Sequence, residues 1–339
     1  MLTTDCPKIS VILPFFNAEK TLKRAIKSIS SQSFKDFECI LIDNNSNDRS
    51  KEIAQKFVDS DNRFKLISEQ KQGVTYASNA GWEASRGQYI ARMDADDWSY
   101  PDRLKMQNDF LDMHLDYGAV ASKVKHISHS DFTGGMARFV QWSNSIVTYE
   151  EILNNRFVEL PIVNPTAMWR RRTAQQYGMY LQGDFPEDYE MWLRWLDYGV
   201  KIKKLNKVLL DWHDSDNRLT RTKLIYSDSS FYKIKTKYLA KWLKKNNPFH
   251  PKVAVWGASK ISRRRARLLE SHGVEICCYI DTKEKKRQLD LKVYFYKEIP
   301  SPEKIFVLTY IRQMNAKEEI RDFLLQKGFI EGKNFLLVS

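Results

Sequence analysis

Residues 89–104 read YIARMDADDWSYPDRL, and the fold turns on the first half of that stretch. Tyr89–Met93 is a short apolar run of the length of a buried strand. It stops at Asp94, Asp96 and Asp97, three carboxylates in four positions. Like charges this close repel, so the cluster calls for a positive partner. Toward the N-terminus the same alternation repeats. Strands are predicted at Ile9–Leu13, Glu38–Ile42 and Phe64–Ile67. Helices are predicted at Lys20–Ser31, with Leu22, Ile26 and Ile29 on one face, at Ser50–Phe57 and at Val74–Ser85. Strands alternating with helices build βαβ units and a mostly parallel sheet covered on both faces. Ligands of such sheets sit beyond the carboxyl ends of the strands, and Asn17, Asp43–Ser46 and Asp94–Asp97 all fall there.

Beyond this region the pattern changes. From Ala119 to about Asp211 it is mixed and aromatic, with one clear helix at Glu187–Tyr198 (EDYEMWLRWLDY). Trp192 and Trp195, three apart, are expected in its core-facing stripe. Leu224–Lys245 reads as a long basic helix and Asn246–Pro251 (NNPFHP) as a linker. Alternation then restarts, with strands at Val253–Trp256, Val274–Ile280 and Ile305–Leu308 and helices at Ser262–Ser271 and Ala316–Lys327. The expected organisation is α/β throughout. A domain with a mixed, mostly parallel sheet covers 1–221, a basic helix and linker cover 222–251, and a smaller Rossmann-like α/β domain covers 252–339.

Composition agrees with a chain of 339 residues holding two cores, 42% hydrophobic and 29% charged. No apolar run approaches the roughly 20 residues of a membrane-spanning helix, and MLTTDCPKIS enters a strand pattern without a secretory leader. Cys6, Cys39, Cys277 and Cys278 lack metal-ligand spacing and read as reduced cysteines of a cytoplasmic protein. The net charge of +13 is unevenly spread: from Thr222 onward there are 25 Lys and Arg against 12 Asp and Glu, and the first 221 residues balance.

Three acids at a strand end have two readings. Loop carboxylates often cap the next helix, as Asp102 after Pro101 can, and a lone Asp-X-Asp arises often by chance. Hard oxygen ligands in a ligand-binding position, however, suit Mg²⁺ or Mn²⁺, which also holds substrate phosphates. Such an ion relieves the repulsion and screens a diphosphate.

SVILPFFN, ECILIDNNSNDRS, GVTYASNAGWEASRGQYIARMDADD and FPEDYEMWLRW, in this order and spacing, resemble the family 2 glycosyltransferases of the GT-A fold, in particular bacterial members that build surface polysaccharides. The resemblance covers about residues 8 to 221. It implies that Pro14, Phe15, Asn17 and Asp43 hold the nucleotide base and ribose. It places Asp94 near the ribose and the metal, and Asp96 on a metal bound to the sugar-nucleotide diphosphate, with Asp97 facing solvent or supporting the loop. Asn79 and Gly81 match the segment that closes over the nucleotide, whereas Ser78 stands where many members have Arg. Asp188 corresponds to the base that deprotonates the acceptor hydroxyl, with Glu187 beside the acceptor or the diphosphate. Read from residues alone, both acids also fit a helix start, where they complement the dipole.

Two further stretches carry charge. NPTAMWRRR places Arg170, Arg171 and Arg172 either on a phosphate or at a solvated helix start, and Asn164 stands where many relatives have His. In WHDSDNRLTR, Arg218 and Arg221 are placed to close over the diphosphate, and His213 to approach the metal or a phosphate, although relatives often carry Arg there. VAVWGASKISRRRARLLESHG has a strand, Gly257 and a helix, yet lacks the later glycines that let a pyrophosphate approach the backbone, so NAD binding is not expected; Asp281 closes the next strand. The cluster of Arg263, Arg264, Arg265 and Arg267 with Lys283, Lys285, Lys286 and Arg287 suits the anionic inner leaflet or is a solvated face. No nucleic-acid module is recognisable.

The expected activity is a metal-dependent, inverting transfer of a sugar from a nucleotide-diphosphate donor, UDP-linked, to a glycan or lipid-linked acceptor. Alternatives are a non-catalytic sugar-nucleotide-binding or scaffold protein and a nucleotidyltransferase. The latter calls for a Gly-rich basic loop where this chain has PFFNAEK.

Overall fold

The computed structural model describes residues 6–128, 134–214, 223–283 and 290–339. They form two compact units, one running to Ile152 and resuming from Pro161 to Lys223, the other combining Leu153–Leu160 with Leu224–Ser339. No helix among the described residues is long and apolar enough to cross a membrane.

The strands of the larger unit are β1 (Ile9–Phe15), β2 (Phe37–Asp43), β3 (Phe64–Ser68), β4 (Tyr89–Arg92), β5 (Trp98–Ser99), β6 (Tyr117–Ser128), β7 (Met168–Arg170) and β8 (Lys201–Asp214). They form one sheet in the order β3-β2-β1-β4-β7-β6-β8-β5. The first four, β3-β2-β1-β4, are parallel to one another. β7 runs antiparallel between β4 and β6, and β5 antiparallel to β8. ISVILPF and FECILID are buried at every position, as parallel strands covered on both faces must be. Glu38, near the start of β2, is satisfied by the Ser10 hydroxyl at 2.7 Å, Lys65 Nζ at 2.8 Å and the Arg86 N–H at 2.7 Å.

Helices α1 (Leu22–Ser30), α2 (Ser50–Ser60) and α3 (Val74–Ala84) follow the expected periodicity. α1 buries Leu22, Ala25, Ile26 and Ile29. α3 approaches the sheet so closely that a Cβ on Gly81 would lie 2.7 Å from both Ile12 Cγ2 and Ile42 Cδ1.

The mixed region holds more structure than its sequence pattern suggests: α4 (Arg103–Met113), α5 (Gly134–Ser145), α6 (Tyr149–Asn155), α7 (Arg171–Tyr177) and α8 (Glu187–Asp197), besides long β6 and β8. β8, KIKKLNKVLLDWHD, hides its pattern because Lys204 is a core residue. Its Nζ donates to Pro161 O at 2.6 Å and Ser143 Oγ at 3.0 Å, so the charge is solvated by protein oxygen. Trp192 and Trp195 are fully buried and meet Trp169 edge-on at 6.1 and 5.9 Å, as the helical stripe implies.

The smaller unit is a second sheet of β9 (Lys252–Trp256), β10 (Glu275–Asp281), β11 (Val293–Phe295), β12 (Val307–Thr309) and β13 (Phe335–Leu337). Its order is β11-β10-β9-β12-β13 and every neighbouring pair is parallel. β11 and β13 are three residues long, too short to signal themselves in sequence. The helices are α9 (Asp228–Asn246), α10 (Lys260–Ala266), which tightens into a 3₁₀ turn at Arg267–His272, and α11 (Met314–Gln326). The basic helix begins later than expected because the Ser227 side chain accepts from Ser230 N, capping it. Arg265 is not on an open basic face: it is 11% exposed and ion-paired to Asp228 at 3.0 Å. Arg267 pairs with Asp290 at 2.7 Å. Lys285, Lys286 and Arg287 lie outside the described residues.

Candidate active site

The carboxyl ends of β1, β2 and β4 carry the first part of the site. Pro14 and Phe15 end β1 buried. Asn17 follows with φ 47°, a left-handed conformation that Asn tolerates better than most residues. That turn joins the two loops: Asn17 N donates to Ser46 Oγ at 3.1 Å, and Asn47 N to Asn17 Oδ1 at 2.8 Å. Asp43, nearly buried, accepts from Ser46 N at 3.1 Å. Asn44, which carried no role in the sequence reading, organises the segment before α3. Its amide donates to Glu69 O at 3.0 Å and Lys71 O at 2.7 Å, and its Oδ1 accepts from Gly73 N at 2.7 Å.

Beyond β4, one carboxylate oxygen from each of Asp94, Asp96 and Asp97 lies within 4.8 Å of the others. Asp94 and Asp96 are half-buried. Asp97 is 1% exposed and accepts the His213 backbone N–H at 2.9 Å, so it anchors the loop to β8 instead of facing solvent. Hard, clustered oxygens at a strand end fit a divalent ion of the Mg²⁺ or Mn²⁺ type. Among the described residues this set comprises the three aspartates; His213 stands next to it through its backbone and is not a member.

Arg92 places a positive charge beneath the cluster. It is buried, donates to Met93 O, and pairs with Asp94 at 2.7 Å. A buried arginine inside a strand needs such a partner, so an Arg two residues before an acidic cluster was the available signal, unused in the sequence reading.

α8 brings the remaining acids. Glu187 and Asp188 occupy its first turn, and Asp188 Oδ1 accepts from Tyr189 N at 2.7 Å. Burial pushes the Asp188 carboxyl up to about 6, the negative charge of Asp94 adds to this, and Arg92 opposes it. The charges of Asp94 and Arg92 thus act on Asp188, more than ninety positions away along the chain.

A polar tether fixes this corner. Tyr180, whose hydroxyl burial holds well above the usual tyrosine range, hydrogen-bonds through that hydroxyl to Asn164 at 3.2 Å. Asn164 Oδ1 also accepts from Trp192 Nε1 at 3.3 Å. Asn79 donates to Tyr180 O at 2.9 Å, so its amide nitrogen faces this turn.

The phosphate reading of the three arginines is corrected. Arg170 is buried and donates to Tyr117 O at 2.8 Å and His114 O at 3.0 Å. Arg171 donates to Gly87 O at 2.6 Å and lies on the Trp82 ring. Arg172 reaches Leu115 O at 3.0 Å. Arg170 spends its donors on backbone carbonyls and the Tyr89 hydroxyl, Arg171 on Gly87 O and the Ser85 hydroxyl, and Arg172 is exposed with one bond to a loop carbonyl, uses that sequence spacing does not distinguish from anion binding. Arg218 and Arg221 lie outside the described residues.

Comparison with known proteins agrees with this geometry. The pattern of glycosyl transferase family 2 matches residues 10–178. EpsE of Bacillus subtilis, which carries a provisional glycosyltransferase name, is 32% identical over 226 residues, 65% of this chain and 78% of EpsE. The chain belongs to glycosyl transferase family 2. Another relative, the Campylobacter jejuni GalNAc(5)-diNAcBac-PP-undecaprenol beta-1,3-glucosyltransferase, is 42% identical over 93 residues, 27% of this chain and 30% of that enzyme. Among solved structures, S. aureus TarS 1-349 in complex with UDP-GlcNAc superposes with a TM-score of 0.56 at 18% identity, covering 78% of this chain and 71% of TarS. The transferase thus has the GT-A fold, and its family pattern spans the loops that carry Asn17, Asp43 and the acidic cluster.

Proposed function

We propose that this family 2 glycosyltransferase transfers a sugar from a uridine diphosphate donor to a glycan or lipid-linked acceptor, with inversion and with a divalent metal, in surface-polysaccharide synthesis. The observation that carries the reading is the meeting of Asp188, its carboxyl raised to about 6, with Asp94 and Arg92 beside a three-aspartate cluster. A carboxylate near neutrality is matched to accepting a proton at physiological pH, whereas an ordinary helix-start acid is a weaker base.

In this reading the β1 and β2 ends, with Asn17 and Asp43, cradle the nucleoside. Asp94 and Asp96 would hold Mg²⁺ or Mn²⁺, which would supply positive charge against a diphosphate. Asp97 keeps the loop in register with β8 through its bond to His213 N. Arg92 orients Asp94 through their ion pair at 2.7 Å. Asp188 takes the proton of the acceptor hydroxyl as its oxygen forms a bond to the anomeric carbon. The bond from that carbon to the diphosphate breaks on the opposite face, its electron pair leaving with the nucleotide. Glu187, in the same helical turn, flanks the acceptor or the diphosphate. TarS, on the same fold, holds UDP-GlcNAc, which motivates the uridine donor. The name of the Campylobacter relative motivates the lipid-linked acceptor. The cytoplasmic face of a membrane, contacted through the basic smaller unit, is the corresponding place of action.

The test is ligand-dependent melting with UDP, GDP, CDP and NAD⁺, with and without Mn²⁺, on wild type and Asp96→Ala. At a hundredfold excess over Kd a single ligand adds about 2.7 kcal/mol of stability. UDP with Mn²⁺ is expected to stabilise wild type and not Asp96→Ala. A response to NAD⁺ alone, equal in both proteins, overturns the proposal.

A further inference from the structure

The smaller unit carries a second cluster of charge, around the carboxyl ends of β9, β12 and β13. Lys235, on α9, donates to Val338 O just beyond β13 at 2.9 Å and to Val158 O at 3.3 Å. Its ammonium stands 4.1 Å from the Tyr232 ring centre, and the Arg265 guanidinium stands 4.4 Å from the same ring. Asp228 at the start of α9 binds Arg265 at 3.0 Å and Arg312, beyond β12, at 2.9 Å. Lys317, one turn into α11, follows Arg312 by five residues, and Glu159 follows Val158, whose carbonyl Lys235 binds. Four cations thus face two carboxylates, an excess of two positive charges.

Lys317 is 6% exposed, and its ammonium makes no hydrogen bond and no ion pair with any described residue. A buried structural lysine spends its donors on oxygen acceptors, as Lys204 does. Burial lowers both lysines, Lys235 to about 7 and Lys317 to about 8, a cost that an anion between them would remove.

We propose that this cluster binds the phosphate group of a small molecule, held by Lys235, Lys317, Arg265 and Arg312 at the carboxyl edge of the parallel sheet. The position is the one where open α/β sheets place ligands, beside the reversal of strand order between β9 and β12. Phosphate has acceptor oxygens enough for two ammonium groups and a guanidinium fork. A membrane surface is the wrong source, because Lys235 and Lys317 are 5% and 6% exposed and a bilayer's headgroups cannot reach them. This ligand is distinct from the nucleotide of the larger unit.

The experiment is calorimetric titration of the full chain with inorganic phosphate in EDTA, which keeps metal from the aspartate cluster. Saturable binding is expected, weakened about tenfold in Lys317→Met and in Arg312→Gln, the effect of losing one charge-assisted contact. Asp96→Ala is expected to keep wild-type affinity. Arg312 is 69% exposed, so Arg312→Gln folds whatever happens to Lys317→Met and decides alone if the latter does not. Absent saturation, unchanged affinity in a folded variant, or loss of affinity in Asp96→Ala overturns the proposal.

Discussion

Asp188→Asn should make the metal-free protein more stable at pH 8 while removing its transfer activity. In the native state the Asp188 carboxyl is raised from 3.8 to about 6, by burial first and then by Asp94. A raised carboxyl favours folding while protonated: its contribution is complete below the unfolded value and is lost as pH rises through 6. Above that the native state holds an ionised carboxylate that the unfolded chain solvates better. At 1.36 kcal/mol per unit, the difference is about 3 kcal/mol at pH 8, roughly half that at pH 5 and about 0.5 kcal/mol at pH 4. Because Asp188 is partly exposed, solvent screening trims the upper figure to about 1–3 kcal/mol. Asn retains an oxygen for the Tyr189 N–H and carries no charge. Urea unfolding in EDTA, followed by fluorescence of the tryptophans packed behind α8, should show the variant's advantage growing from pH 4 to pH 8. Nucleotide release from a UDP-sugar donor in the presence of acceptor should fall by about 10²–10⁴, and the wild-type kcat/KM profile should have its acid limb near pH 6. A stability difference that is flat with pH, or that shrinks toward pH 8, refutes the reasoning.

Asn44→Ala removes three hydrogen bonds to the segment before α3 and should destabilise the larger unit by about 2–4 kcal/mol, measured by urea midpoint. Gly81→Ala places a methyl 2.7 Å from Ile12 and Ile42, and overpacking of about 1–3 kcal/mol should lower Tm; an unchanged Tm would mean that α3 can shift freely. Asp97→Ala leaves the His213 N–H without its acceptor and should cost about 1–3 kcal/mol while weakening Mn²⁺-dependent nucleotide binding, both readable in one melting series.

The sequence by itself determined the alternating strands and helices of the first hundred residues, the placement of Asn17, Asp43 and Asp94–Asp97 at strand ends, and the buried tryptophan stripe of α8. These are local matters: a two-residue or 3.6-residue period, and the end of an apolar run, are visible within a dozen positions. The family resemblance added Asp188, whose bare context is equally that of a helix start. Tertiary structure decided what distance along the chain conceals. It brought Asp188 to Asp94 and raised its carboxyl, because burial and a neighbouring charge are properties of packed space. It turned Asp97 inward onto His213 N and spent Arg170–Arg172 on loop carbonyls. It also buried Lys204, Lys235 and Lys317, which in one dimension look like solvated charge. A charged side chain carries the same letter whether it faces water, a carbonyl or a ligand; the groups that the fold packs against it decide which.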